Sequence, residues 1–275
     1  MAFLIVIGVA GYLVYKNRQN QWQHEAQLAW GRGNRALELE DTSKAINEYT
    51  HAVTLWPEFA AAYVSRGNAQ LTLMAFDKAT ADYETAIGKD PNYPESYLSR
   101  GMLNWLVGKL DPAETDFRKL VRLRPDEPFY LGRLGVVLVE QKKMKEWEDV
   151  YRQAYALDRS REWALTGWLA AISSNQGHER LLSEIEQLEA RGVRNDDISY
   201  YKGIALVSLK RFTEAIPSLE HVVNHGDPAK VPTDAAFQLA DAYKASGRAD
   251  DCRKMRINYF ARMGRPNDAN PQDCN

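Results

Sequence analysis

Cysteine is nearly absent, with only Cys252 and Cys274 in 275 residues. They form no CxxC pair, and no second pair is present to complete a zinc or redox site. Either they close one C-terminal staple in an exported chain, or they are two free thiols in a reducing compartment; free thiols are the simpler expectation. An excess of charge is missing too. Lys and Arg number 35 against 37 Asp and Glu, a formal net charge of -2, which argues against a chain built to neutralise nucleic-acid phosphates. No block of like charges marks a tail or a patch for anionic lipid. Catalytic signatures are also lacking. There is no GxSxG elbow and no HExxH, and "GRGNRAL" lacks the Lys-Ser/Thr of a phosphate loop. Among five histidines only His221 and His225 are spaced to share a helix face, without a third ligand nearby, and they read as solvent-facing positions. Carboxylates occur in mixtures such as "EQLEAR", the pattern of a solvated helix face. Neither an enzyme nor a metal or cofactor carrier is expected.

Long apolar runs are missing except at the start. "AFLIVIGVAGYLVY", residues 2–15, carries no charge. As a helix it spans roughly 21 Å, against roughly 30 Å of bilayer hydrocarbon. No Lys or Arg precedes it, whereas Lys16 and Arg18 follow. The charge placement leads to the expectation that residues 1–20 form a single-pass membrane anchor and juxtamembrane segment, with the rest on the cytoplasmic side. A cleaved signal is the alternative.

What the chain does have is a period. Stepping by 34 residues, one column reads Gly33, Gly67, Gly101, Gly135, Leu169, Gly203. Others read Ala45, Ala79, Ala113, Trp147, Leu181, Ala215, and Tyr49, Tyr83, Phe117, Tyr151, Ile185, Leu219. A further column opens Pro57, Pro91, Pro125 and then lapses at Arg159. A fixed period of this length signals stacked supersecondary units. Each unit holds two apolar helical stretches around a short polar break such as residues 40–43. Small residues belong where two helices approach closely, aromatics fill the space beside them, and prolines end the second helix.

These columns resemble the tetratricopeptide repeat family. The resemblance is carried by Gly33, Ala36, Ala45, Tyr49, Ala52 and Pro57, then Gly67, Ala79, Tyr83, Ala86 and Pro91, then Gly101, Ala113, Phe117 and Pro125. It implies an all-α, right-handed solenoid over residues 21–262, with repeats near 26–59, 60–93, 94–127, 128–161, 162–195, 196–229 and 233–262, and a tail at 263–275. The fourth and fifth repeats depart from the motif, and the seventh needs a three-residue slip through "DPAKVP".

In that family the first helices of successive repeats line a concave surface that holds partners. The resemblance implies that the columns beginning Gln27, Trp30, Asn34, Leu37 and Glu38 face inward. None of their 30 positions is Lys or Arg, so basic-clamp capture of acidic chaperone termini is disfavoured. The expected groove residues are Trp30, Asn34, Asn68, Leu98, Met102, Trp105, Phe129, Val136, Trp163 and Tyr200. The chain is expected to be a non-catalytic scaffold or assembly factor, tethered to a membrane and binding a membrane-associated protein or peptide in an apolar groove. An exported adaptor with a C-terminal disulfide, or a subunit of a membrane enzyme complex, are the alternatives.

Overall fold

A computed structural model describes residues 2–226, 232–265 and 271–274, with side chains from residue 16 except at 233 and 271. The described residues form fourteen α-helices, a 3-10 turn at Pro271–Cys274 and no strand. The chain divides into two compact units, Met1–Gln141 and Lys142–Asn275. The first holds α1 (Ala2–Glu38), α2 (Thr42–Leu55), α3 (Ala60–Thr72), α4 (Phe76–Lys89), α5 (Pro94–Leu106), α6 (Leu110–Leu123) and α7 (Pro128–Glu140). The second holds α8 (Met144–Leu157), α9 (Glu162–Ser174), α10 (His178–Ala190), α11 (Asp196–Ser208), α12 (Phe212–His225), α13 (Thr233–Ala245) and α14 (Ala249–Arg262). Within each unit every helix packs on the one before and the one after. From α3 to α11 alternate helices begin 34 residues apart, and α13 begins 37 after α11. Part of the slip that sets this longer step, residues 227–231, lies outside the described residues.

Local chemistry fixes the helix ends. Trp56, Asp90 and Arg124 each precede a proline and leave the helical region, with φ of -133°, -136° and -139°, because a following proline ring disfavours helical backbone. Asp158 makes the same break without a proline (φ -143°). Its carboxylate accepts from the Ser160 amide and from Arg161 Nε, at 3.0 and 2.8 Å. Between the two helices of each pair one residue turns left-handed. Glu40, Met74, Gly108, Lys142, Gln176, Lys210 and Gly247 all have φ between 55° and 76°, a helix C-terminal turn in which only Gly108 and Gly247 are the residue type that adopts it freely.

In the first unit the glycine column is a lock for the aromatic column. A Cβ on Gly33, Gly67 or Gly101 would lie 2.5, 2.6 or 2.7 Å from the Cε1 of Tyr49, Tyr83 or Phe117. Those three rings are fully buried. The residue before each glycine is an arginine, and the one before each aromatic is an acid. Arg32 Nε bonds Glu48 at 2.8 Å, and Arg66 and Arg100 grip Asp82 and Asp116 with two bonds each. The Arg-Gly dyad of a first helix therefore clasps the acid–aromatic dyad of the second. In the second unit Gly203 meets Leu219 in the same way, at 2.5 Å. Leu169, Leu181 and Ile185 replace the small–large lock with an aliphatic one, all fully buried.

Two expectations are corrected. No separate anchor segment closes at residue 20, because α1 runs unbroken for 37 residues into the repeats. Among the described residues no helix is long and apolar enough to cross a membrane. The uncharged stretch is about 21 Å long, too short for a roughly 30 Å core, and a charged, polar helix follows it at once. The single-pass anchor at 1–20 and the cytoplasmic placement are therefore overturned, and a membrane-associated partner loses its support. Cys252 and Cys274 are not free thiols: they are joined in a disulfide with Cα atoms 5.8 Å apart.

Candidate functional site

The first helices of the first unit, namely α1 from about residue 26, then α3, α5 and α7, carry eight of the residues expected in the groove. Asn34 and Asn68 are held from behind: the Tyr49 and Tyr83 hydroxyls each donate to the local asparagine Oδ1 at 2.8 Å. That fixes the amide orientation, with each Oδ1 turned to its tyrosine. Burial pushes the Tyr49 phenol up to about 12. Trp30 is half-buried, donates Nε1–H to Ser65 Oγ at 2.8 Å and leans on Phe59. Leu98 and Val136 are half-buried.

α5 and α7 bring together the apolar middle. Phe129 is 44% exposed and Leu106 61% exposed, with Met102 and Trp105 half-buried beside them. Trp105 Nε1–H donates to Glu140 Oε1 at 2.8 Å, which fixes the indole. Arg133 belongs to none of the inward columns, yet it stands here. Its guanidinium carbon is 4.8 Å from the Phe129 ring centre, and its Nη1 is 3.9 Å from Met102 Sδ. The only available signal was its place one helical turn after Phe129.

Trp163 and Tyr200 belong to the second unit and are described with it. Trp163 packs edge-on against Tyr151, ring centres 5.7 Å apart. Tyr200 donates to Asp234 Oδ2 at 2.7 Å and meets Tyr201 edge-on. Burial first, then the Asp234 hydrogen bond, pushes the Tyr200 phenol up; burial pushes Tyr201 up to about 12. Beside Tyr200 lies a cavity of about 150 Å³ lined by Glu162, Asn195, Asp196, Asp197, Val222 and Pro232. Asp197 there accepts from Thr166, and Asp196 lies 3.4 Å from His221. His221 stacks on His225 with both near the surface. Among the described residues no group of three His, Cys, Asp or Glu is placed to hold a metal.

Tetratricopeptide-repeat models match residues 31–94, and then 94–127 and 130–161. The chain therefore carries tetratricopeptide repeats, and its fourteen helices form the all-α fold of such arrays. Solved structures agree on the fold. A tetratricopeptide repeat protein from Parabacteroides merdae is 12% identical with a TM-score of 0.55, over 86% of this chain and 93% of that one. YrrB, described as a repeat protein with an unusual peptide-binding site, is 18% identical with a TM-score of 0.56, over 71% and 97%. MamA from Desulfovibrio magneticus is 13% identical with a TM-score of 0.52, over 60% and 94%. No curated protein matches the chain.

Proposed function

We propose that this chain is a non-catalytic interaction scaffold that binds a protein or peptide partner in the groove of its first unit. The observation that carries the reading is the patch on α5 and α7, where Phe129 and Leu106 stand exposed beside Met102 and a fixed Trp105. Exposed large apolar side chains gathered at one place mark a contact surface, and aromatic anchors dominate such contacts. The peptide-binding site described for YrrB is consistent with this use of the fold. The test is the double variant Trp105→Ala with Phe129→Ala, made in the full chain. Truncating anchors of this size often costs 2 kcal/mol or more, and 1.4 kcal/mol is tenfold. Partner capture should fall by about one order of magnitude or more while helical content and melting are retained. A folded variant with unchanged capture sinks the reading.

A second reading concerns where the scaffold works. The Cys252–Cys274 bond favours an exported adaptor in an oxidising compartment, because disulfides form and persist there and are rare elsewhere. Thiol trapping of the protein at its native site checks this: labelling of either cysteine before reduction would refute it.

A further inference from the structure

We infer that Arg133 makes the groove of the first unit selective for a peptide that places a side-chain carboxylate among its apolar side chains. This rests on the groove reading and goes further, by naming the chemistry of the occupant.

Four arginines of the first helices can be compared. Arg32, Arg66 and Arg100 each hold a carboxylate of the neighbouring second helix. Arg133 holds none among the described residues, since its position on α7 lies one place before theirs in the repeat, and Leu134 stands in their column. What it touches is an aromatic face and a thioether. Its Nε is shielded from solvent and has no hydrogen-bond partner. A guanidinium offers five donors and no acceptor, and a thioether satisfies one of them weakly. The charge is thus partly stripped of water by Phe129 and Met102, at the centre of the patch where an occupant would sit.

The acids at the two ends of α7 are already engaged. Glu140 accepts from Trp105 Nε1, and Glu127 accepts from the Phe129 amide at 3.3 Å. Bringing an anion here completes a planar, two-pronged pair in a low-dielectric setting, where such bonds are strongest. A cation would meet repulsion, and a wholly apolar ligand would bury the unmet donors. The three features together select Leu-, Phe- or Met-like side chains flanking one Asp or Glu.

The experiment uses the full chain and an array of short peptides, acetylated and amidated at their ends so that side chains supply the only carboxylates. Their positions are randomised over apolar, acidic, amide and basic residues. The strongest binders should carry an Asp or Glu between apolar residues. Changing that residue to its amide should weaken binding to the unmodified chain about 10- to 100-fold, the range of a charge-assisted pair. Arg133→Met, which keeps length and apolar packing, should erase the difference between acid and amide. Binders that depend on Trp105 and Phe129 but treat acid and amide alike overturn this inference and leave the groove standing. An array with no binder dependent on those two residues overturns both. Should Arg133→Met not fold, the acid–amide comparison on the unmodified chain decides alone.

Discussion

Gly67 and Tyr83 fit so closely that a Cβ on the glycine would lie 2.6 Å from the tyrosine Cε1. The ring cannot yield, because it is fully buried and its hydroxyl is tied to Asn68. Gly67→Ala should therefore destabilise the first unit, by about 1–3 kcal/mol for an overpacked site. Gly88, also inside a helix, has nothing within 4 Å of such a Cβ, so Gly88→Ala should stabilise by about 0.5–1 kcal/mol through helix propensity alone. Urea unfolding followed by circular dichroism reads both. Effects of the same sign would refute the ring-lock account of the column.

Asp116 is buried beneath Arg100. Removing only the arginine leaves a buried carboxylate unpaired, so Arg100→Met should cost about 3 kcal/mol or more. Arg100→Met together with Asp116→Leu should recover most of that loss, since a well-packed apolar pair can match a buried ion pair. A double variant no more stable than the single one would show that the pair acts mainly through other contacts.

Met74 takes the left-handed turn between α3 and α4 with φ 56° and an exposed side chain. A side chain in that region costs roughly 1–2 kcal/mol, so Met74→Gly should raise the melting temperature and Gly108→Ala should lower it. Thermal denaturation of both variants suffices, and a lowered midpoint for Met74→Gly would mean that its side chain contributes packing that its exposure conceals.

Tyr49 and Tyr201 are held neutral by burial, each with its phenol raised to about 12 from the ordinary 10. A raised value in the folded state gives stability that is full below about pH 10 and lost as pH climbs through about 12. Helix loss and tyrosinate absorbance should therefore rise together in that window. Tyrosinate appearing at ordinary pH values with the helices intact would contradict the burial of these rings.

Much of the fold was legible because packing constraints recur. Gly33, Gly67 and Gly101 recur at a fixed step because each must clear a ring sixteen residues later, and the pre-proline breaks at Trp56, Asp90 and Arg124 follow from ring sterics alone. The Arg-Gly dyads at Arg32-Gly33, Arg66-Gly67 and Arg100-Gly101 stand in the sequence itself, but their acid partners could be found only once the aromatic column was known to pack on the glycine. Arg133 was hidden for a related reason: columns taken from a family pattern exclude neighbouring positions that a long side chain can bridge. The uncharged residues 2–15 misled because a sequence window registers apolarity, not whether the helix continues. The disulfide was left open because two cysteines 22 residues apart say nothing about compartment.

The bond from Cys252 to Cys274 changes how the second unit comes apart. In a linear stack each helix pair leans only on its neighbours, so opening normally begins at an end, where one neighbour is missing. Here the last pair is tied to the terminal turn twice, by the disulfide and by Arg256 to Asp273 at 2.7 Å. Before α14 can peel away, the turn must go with it, and the closed loop retains part of its order in the opened state. The slowest-exchanging amides of α13 and α14 then belong to the cooperative interior of the unit, and its weakest edge lies elsewhere along the chain.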